Sequence, residues 1–182
     1  MVATAPQRNA PKLSKSLFNN PLIVNARVST APQRIFYVKL ILATIALLTG
    51  GMIYVLWRTE TLMMFSWFDK LGIGSTVKML RNYAAPYSHT LPHWFYYSLP
   101  QALWLFSGIL FFNCIWHKGS IINYMFWTAL FAELAFGWEL GQFLKIVPGY
   151  FTIWDLLLLV AALLLALALI VLTRYPKKEV YP

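Results

Sequence analysis

Long apolar stretches separated by short polar links form the main pattern along this chain. They cover residues 35–57, 93–116, 120–143 and 151–173. At a rise of about 1.5 Å per residue, the first stretch extends about 34 Å, enough to cross the roughly 30 Å hydrocarbon layer of a bilayer. The pattern therefore predicts four transmembrane helices. The second and third are joined by so short a link that they must form an antiparallel hairpin.

The segment between the first two stretches, residues 58–92, has a different pattern. Its apolar run Leu62–Phe68 is too short to cross a bilayer. Farther along, helical spacing puts Val77, Leu80 and Ala84 on one face and polar residues on the other. We expect one or two helices that lie in the membrane interface.

The two ends of the chain have no such periodicity. Residues 1–34 contain four prolines and scattered basic residues, which predicts a disordered basic tail, and residues 174–182 form a second short tail. The N-terminal tail also lacks the apolar core of a signal peptide, so we expect it to remain on the mature protein. The predicted fold is all-α: a polytopic transmembrane four-helix bundle with interfacial helices between spans one and two.

Composition supports a membrane protein. Of all residues, 59% are apolar and only 12% are charged, and a soluble domain of this length has too small a core to hide that much apolar surface. The formal net charge is +9, and the basic residues flank the apolar stretches. That placement is typical of a topology signal, so we expect membrane lipids and no nucleic acid as partners.

The distribution of lysine and arginine predicts the orientation. If the N-terminus is cytoplasmic, ten basic residues fall on the inner side and five on the outer side. Cytoplasmic segments carry the excess of basic residues, so both termini are predicted to be cytoplasmic. The five outer residues are Arg58, Lys70, Lys78, Arg81 and Lys145.

Glu133 lies near the middle of the third stretch, where an ionisable group is costly. Ala129, Glu133, Gly137 and Gly141 are four residues apart and form a stripe along one helix face. Small residues on either side of the acid predict tight packing against a neighbouring helix. Two interpretations stay open: a neutral acid hydrogen-bonded between helices, or a relay for a proton or ligand.

A second polar group is predicted at the outer side. Glu139 and Gln142 lie near the outer end of span three, and Asp155 enters span four at the same depth. The residues predicted to form a binding site with them lie at the start of span two and in the outer loop: Gln101, His93 and Arg81. Such a group is suited to a lipid headgroup or to proton transfer. Alternatively, it only ties the helices together, with Asp155 capping span four.

Cofactor sites are not indicated. The chain has one cysteine, and its three histidines fall at opposite ends of the predicted spans, which argues against thiolate metal sites and a bis-histidine haem. Nucleotide-binding and nucleophile motifs are also missing from the sequence. We predict no metal and no cofactor, and the sequence does not decide whether the protein is an enzyme.

The segment Glu139-x-x-Gln142, Pro148-Gly149 and Asp155 resembles the signature of VanZ-like proteins, which are small multi-span bacterial membrane proteins. The resemblance covers about 40 residues of spans three and four. The family usually has arginine after Pro-Gly, where this chain has Tyr150, and asparagine four residues after the aspartate, where it has Leu159. Some members are linked to glycopeptide resistance, so the resemblance implies a bacterial inner membrane and a role in the cell envelope.

Three functions are consistent with these features. The first is an inner-membrane protein that binds or processes an amphiphilic envelope component, such as a lipid-linked intermediate, at its outer face. The second is a non-catalytic accessory subunit of a larger membrane complex or homo-oligomer. A small transporter is the third and weakest, because spans one and four offer almost no polar lining.

Overall fold

A computed structural model describes the backbone of residues 21–173 and side chains from residue 33 onward. In that range the protein is all-helical. The helices are α1 (Pro21–Trp57), α2 (Met63–Lys70), α3 (Gly74–Ala84), α4 (His93–Tyr97), α5 (Leu99–Ile115), α6 (Ile121–Phe143) and α7 (Ile153–Leu172), with a 3-10 turn at Ala85–His89. The chain divides into two units, residues 1–36 and 37–182, and the contacts described below all lie within the second.

Helices α6 and α7 begin near their predicted starts because the sequence caps both first turns. The hydroxyl of Ser120 accepts a hydrogen bond from the Ile122 N–H at 3.2 Å. Before α7, Thr152 and Asp155 form a capping box, in which the side chain of each residue accepts a hydrogen bond from the backbone N–H of the other. These caps fix the helix starts independently of distant contacts.

The first two predicted spans differ from the structure at their N-terminal ends. Helix α1 begins at Pro21, so part of the predicted disordered tail is helical; residues 1–20 and 174–182 lie outside the described range. Proline is well tolerated at the first position of a helix, because no intrahelical partner is needed for its missing N–H. The second span is two helices, α4 and α5, with Pro100 in the first turn of α5. At that position the missing N–H of proline costs no intrahelical hydrogen bond, so α5 begins at Leu99.

The segment between α1 and α4 contains the two short helices that its pattern predicts. In α3 the side chains of Val77 and Ala84 are buried, whereas Leu80 is largely exposed. The indole Nε1–H of Trp57 donates to the carbonyl of Ala84 at 3.2 Å, which joins the end of α1 to the end of α3. This segment therefore packs on the end of α1.

Helix α5 lies at the centre of the core. Its side chains Leu105, Ile109 and Leu110 are at most 1% exposed. They pack with residues of α1 and α7, and phenylalanine and alanine side chains of α6 cover the cluster. The other buried members are Ala43, Leu159 and Ala166, and the α6 members are Phe131, Ala132, Ala135 and Phe136.

Small side chains allow the helices to approach α5 closely. A Cβ at Gly50 of α1 would lie 2.7 Å from the indole nitrogen of Trp104, and one at Gly108 would collide with the ring of Phe131. The hydroxyl of Ser107 donates to the carbonyl of Ala43 at 2.8 Å, a second link between α1 and α5. The contact between α5 and α6 thus depends on Gly108, which sequence analysis did not single out.

Two of the helices are long and apolar enough to cross a membrane: Gln33–Trp57 within α1, and α7. Helix α5 is also apolar but has only 17 residues. Helix α6 is long enough, but Glu133 and Glu139 reduce its mean hydropathy. The number of spans beyond these two stays a prediction.

Candidate functional site

A cavity of about 560 Å³ lies where α1 and α6 end and where α4, α5 and α7 begin. It brings together five of the six residues predicted to form the outer site, which are Glu139, Gln142, Asp155, Gln101 and His93. Arg81 does not line it. Residues from distant parts of the sequence therefore converge at this cavity.

Glu139 is the most deeply buried acid of the cavity, with 3% of its surface exposed. Its Oε2 atom has no hydrogen-bond partner among the residues that the structure describes. The Gln101 side chain forms a hydrogen bond with the Glu139 carboxylate, and the charged groups of Asp155 and Arg58 interact with it electrostatically. A buried carboxylate oxygen without a donor is expensive. Glu139 therefore marks the part of the cavity where a donor from outside the chain would be most favourable.

Asp155 is also buried, but its carboxylate is engaged within the protein. Its Oδ2 accepts hydrogen bonds from the backbone N–H and from the hydroxyl of Thr152, both at 2.7 Å. Its position in the first turn of α7 also places a negative charge at the positive end of the helix dipole. The interpretation of Asp155 as a cap thus matches the geometry.

The two glutamine side chains hold the cavity walls together. The Gln101 amide reaches the carbonyl of Ala135 at 3.5 Å, a long contact that bridges α5 and α6. Gln142 packs on Gly149, which has a positive φ of 143°, and a Cβ there would collide with the Gln142 amide. Glycine is needed at this turn for both its conformation and its size.

Arg81 performs a different task from the one predicted. Its guanidinium donates to the backbone carbonyls of Val55 and Arg58 and to the carboxylate of Glu60. The final carbonyls of a helix have no partner within it, so Arg81 satisfies the end of α1. Arg81 lies at this place and not at the cavity, because α3 packs beside the end of α1.

Arg58 takes the place in the cavity that was predicted for Arg81. Its guanidinium carbon lies 5.2 Å from the ring centre of Tyr54 and 4.8 Å from that of Tyr97. Its Nε atom is buried and has no hydrogen-bond acceptor within the described part of the chain. From the sequence, Arg58 is only one of the basic residues that flank an apolar stretch. No local signal distinguishes it from the others.

Sequence analysis also missed Ser98 and the aromatic walls. Ser98 is 2% exposed, and its hydroxyl has no partner among described residues. Trp94 and Trp154 both line the cavity, and their indole rings are in tilted contact with ring centres 6.2 Å apart. His93, although exposed, stacks on Tyr97 at 6.1 Å. Clustered Trp and Tyr before an apolar helix could have suggested an interfacial wall.

The predicted packing stripe on α6 is only partly a packing surface. Gly141 is buried, and a Cβ there would collide with Val147. In contrast, Ala129, Glu133 and Gly137 are exposed on the chain. These three do not pack against the described helices, because the aromatic and alanine face of α6 occupies the contact with α5 and α7; their packing against a helix of another chain stays a prediction.

Two further features lie away from this cavity. An apolar groove of about 370 Å³ opens between α1, α5 and α7, and Thr49 is its only polar lining residue. At the opposite end of α5, the ammonium of Lys39 donates to Asn113 Oδ1 at 2.9 Å. In the described residues, no group of three or more His, Cys, Asp or Glu is arranged to hold a metal ion.

Comparison with known protein families, curated proteins and solved structures finds no match to this chain. The resemblance to VanZ-like proteins therefore stays a prediction, based on Glu139, Gln142, the Pro148-Gly149 turn and Asp155. All of these except Pro148 line the cavity.

Proposed function

We propose that this chain is a four-span protein of the bacterial inner membrane that binds the polar head of an amphiphilic envelope component at its outer face. The observation that carries the proposal is the Glu139 carboxylate, which is buried in a polar cavity with one oxygen lacking a described donor. The proposal concerns binding; it assigns no reaction to the site.

Exposure of apolar side chains supports the membrane part. In the most apolar window of α7 only 17% of residues are buried, and in that of α1 only 22%. A core helix of a soluble protein would be mostly buried, whereas helix faces in contact with lipid stay apolar and uncovered. The four-span arrangement would place these faces in hydrocarbon.

The direction of the helices supports four crossings. Helices α1 and α6 end at the cavity, whereas α5 and α7 begin there. Consecutive long helices therefore alternate in direction, as successive crossings require. The distribution of basic residues then favours the outer side for the cavity and the cytoplasmic side for both termini.

The lining of the cavity supports an amphiphile as the ligand. Polar groups from Arg58, Gln101, Glu139 and Asp155 lie beside indole rings in the same space. Tryptophan and tyrosine settle at the depth of lipid headgroups, where one side is apolar and the other is wet. Through its resemblance to VanZ-like proteins, the chain would act on a component of the cell envelope.

Glu139→Gln tests this proposal, with Glu133→Gln as the matched control on a different face of the same helix, outside the cavity. Both variants are purified in mild detergent, and the lipids retained per protein are extracted and measured by mass spectrometry. We expect Glu139→Gln to lose a retained amphiphile that the wild type and Glu133→Gln keep. Equal retention by all three proteins would contradict the proposed site.

An accessory subunit of a larger membrane complex is the second candidate. It is favoured by the exposed Glu133, since an acid near the middle of a span is costly in lipid and needs a partner. Exposed Ala129 and Gly137 would let another helix approach that acid. Purification of the wild type should then bring a second chain in fixed ratio, which Gly137→Leu displaces and Gly51→Leu leaves bound. Purification of the chain alone as a monomer would contradict it.

A further inference from the structure

Two opposite charges line the cavity without pairing with each other. Arg58 and Glu139 both border it, but neither has an oppositely charged partner within 4.0 Å among the side chains that the structure describes. Each also has a buried polar atom without a hydrogen-bond partner in the described range: Nε in Arg58 and Oε2 in Glu139. The cavity therefore has a positive side and a negative side, which interact at a distance but form no ion pair among the described side chains.

Aromatic stacking keeps the positive side in place. The Arg58 guanidinium lies over the rings of Tyr54 and Tyr97, and attraction between a cation and ring faces stabilises that position. The Arg58 carbonyl accepts a hydrogen bond from Arg81 at 2.7 Å, which fixes the backbone at the same residue. Rotation of Arg58 toward Glu139 would lose the ring contacts. A ligand that carries both charges satisfies the two sides without that loss.

The chemistry of each side identifies the groups of the ligand. Arginine presents a planar set of donors that matches phosphate oxygens, and the unpartnered Ser98 hydroxyl adds another donor at the same cavity. Glu139 Oε2 needs a donor, which a primary ammonium supplies through its N–H groups. A trimethylammonium group has the same charge but no N–H. The negative side thus discriminates between these two cations.

We infer that the cavity binds a phosphate diester that carries a primary ammonium, with the phosphate at Arg58 and Ser98 and the ammonium at Glu139. This inference rests on the proposed function and specifies its ligand class. The molecule is either an ethanolamine phospholipid from the membrane or a free phosphoethanolamine compound. The paired indoles of Trp94 and Trp154 at the cavity favour the lipid, since such rings lie at headgroup depth.

The test compares three lipids with identical acyl chains on the purified full-length protein. Phosphatidylethanolamine carries phosphate and primary ammonium, phosphatidylcholine carries trimethylammonium, and phosphatidylglycerol has no cation. Each is titrated in detergent, and bound lipid is counted by native mass spectrometry. We expect the ethanolamine lipid to bind about tenfold more tightly than the choline lipid, because the latter leaves Glu139 without a donor. Soluble glycerophosphoethanolamine is the competitor that reveals a free source.

Two variants assign the two sides. Glu139→Gln should reduce the preference for ethanolamine over choline to about twofold or less, whereas Arg58→Met should weaken all three lipids to a similar degree. Glu133→Gln, outside the cavity, should preserve the wild-type pattern. The lipid series on the wild type needs no variant, so poor folding of either one leaves the inference testable.

Each outcome decides a separate point. Equal binding of the three lipids, lost in Glu139→Gln, overturns the ligand assignment but leaves the proposed function intact. If neither Glu139→Gln nor Arg58→Met changes the binding of any lipid, both the ligand assignment and the proposed function are overturned. Competition by glycerophosphoethanolamine at concentrations similar to the lipid supports the assignment and identifies a free source, whereas its failure to compete identifies the membrane lipid.

Discussion

Asn113→Leu is the most informative test of how α1 is held against α5. The Lys39 side chain is 9% exposed, and its ammonium donates to Asn113 Oδ1 at 2.9 Å. Leucine fills similar space but offers no acceptor. A buried ammonium would then lose the one hydrogen-bond acceptor that the structure describes for it.

The size of the effect follows from the type of bond. Hydrogen bonds to charged groups contribute about 1.5–3 kcal/mol, whereas those between membrane helices average roughly 0.6 and reach roughly 1.7 kcal/mol. A charged donor at a helix contact belongs at the upper end of the membrane range. We therefore expect Asn113→Leu to lower the free energy of unfolding by about 2 kcal/mol, and a coupling energy with Lys39→Met of about 1.5 kcal/mol.

The assay is a double-mutant cycle in one detergent. The free energies of unfolding of the wild type, Lys39→Met, Asn113→Leu and the double variant are measured under identical conditions. The double variant should recover much of the loss, because it removes the charge together with its acceptor. A coupling energy below about 0.5 kcal/mol would refute the reasoning and indicate that Lys39 extends to the headgroups instead.

Three changes near the cavity have local consequences. Gly149→Ala should lower the free energy of unfolding by about 1–3 kcal/mol and displace Gln142, because residue 149 has a positive φ and the new Cβ would meet the Gln142 amide. Thermal unfolding measures this change. In the same assay the control Gly51→Ala should be neutral or slightly stabilising, because there is open space around Gly51. Thr152→Val should cost about 1 kcal/mol through loss of the hydroxyl half of the capping box, detected as a lower melting temperature; the backbone N–H of residue 152 still donates to Asp155. Lys145→Gly should raise the melting temperature, since Lys145 has φ 59° and glycine adopts that conformation without strain; an unchanged value would argue against strain there.

Helix positions were predictable wherever the local sequence determines them. The apolar stretches locate α6 and α7, and the caps at Ser120 and Thr152 determine where they start. The start of α1 differs from the prediction because the prolines in residues 1–34 argue against a helix, whereas Pro21 occupies the first helical position, which tolerates proline.

The residues of the candidate site were predictable only where the depth of a residue along its span was enough to place it at the cavity. Glu139, Gln142 and Asp155 were grouped because adjacent antiparallel helices place them at the same level, and they line one cavity. Arg58 lines the cavity and Arg81 does not, because α3 packs on the end of α1 and holds Arg81 there. No periodicity in the sequence contains that information.

The face of a helix was harder to predict than its depth. The small residues around Glu133 suggested a packing surface, but α6 turns its phenylalanine and alanine side chains to the core instead. Gly108 on α5 determines which face of α6 packs against α5, because the absence of a side chain there leaves space for the ring of Phe131. A pairwise fit of this kind involves two helices and is not visible in either one alone.

Membrane topology is the central claim, and cysteine labelling tests it most directly. In a Cys114→Ala background, single cysteines are introduced by Tyr150→Cys at the cavity and by Lys118→Cys in the hairpin at the opposite end of α6. Both positions are accessible to a reagent, because Tyr150 is 85% exposed and Lys118 is also exposed. Intact cells are treated with a membrane-impermeant maleimide. The account predicts labelling of Tyr150→Cys in intact cells and of Lys118→Cys only after permeabilisation. Labelling of both positions in intact cells, or of Lys118→Cys alone, would contradict it.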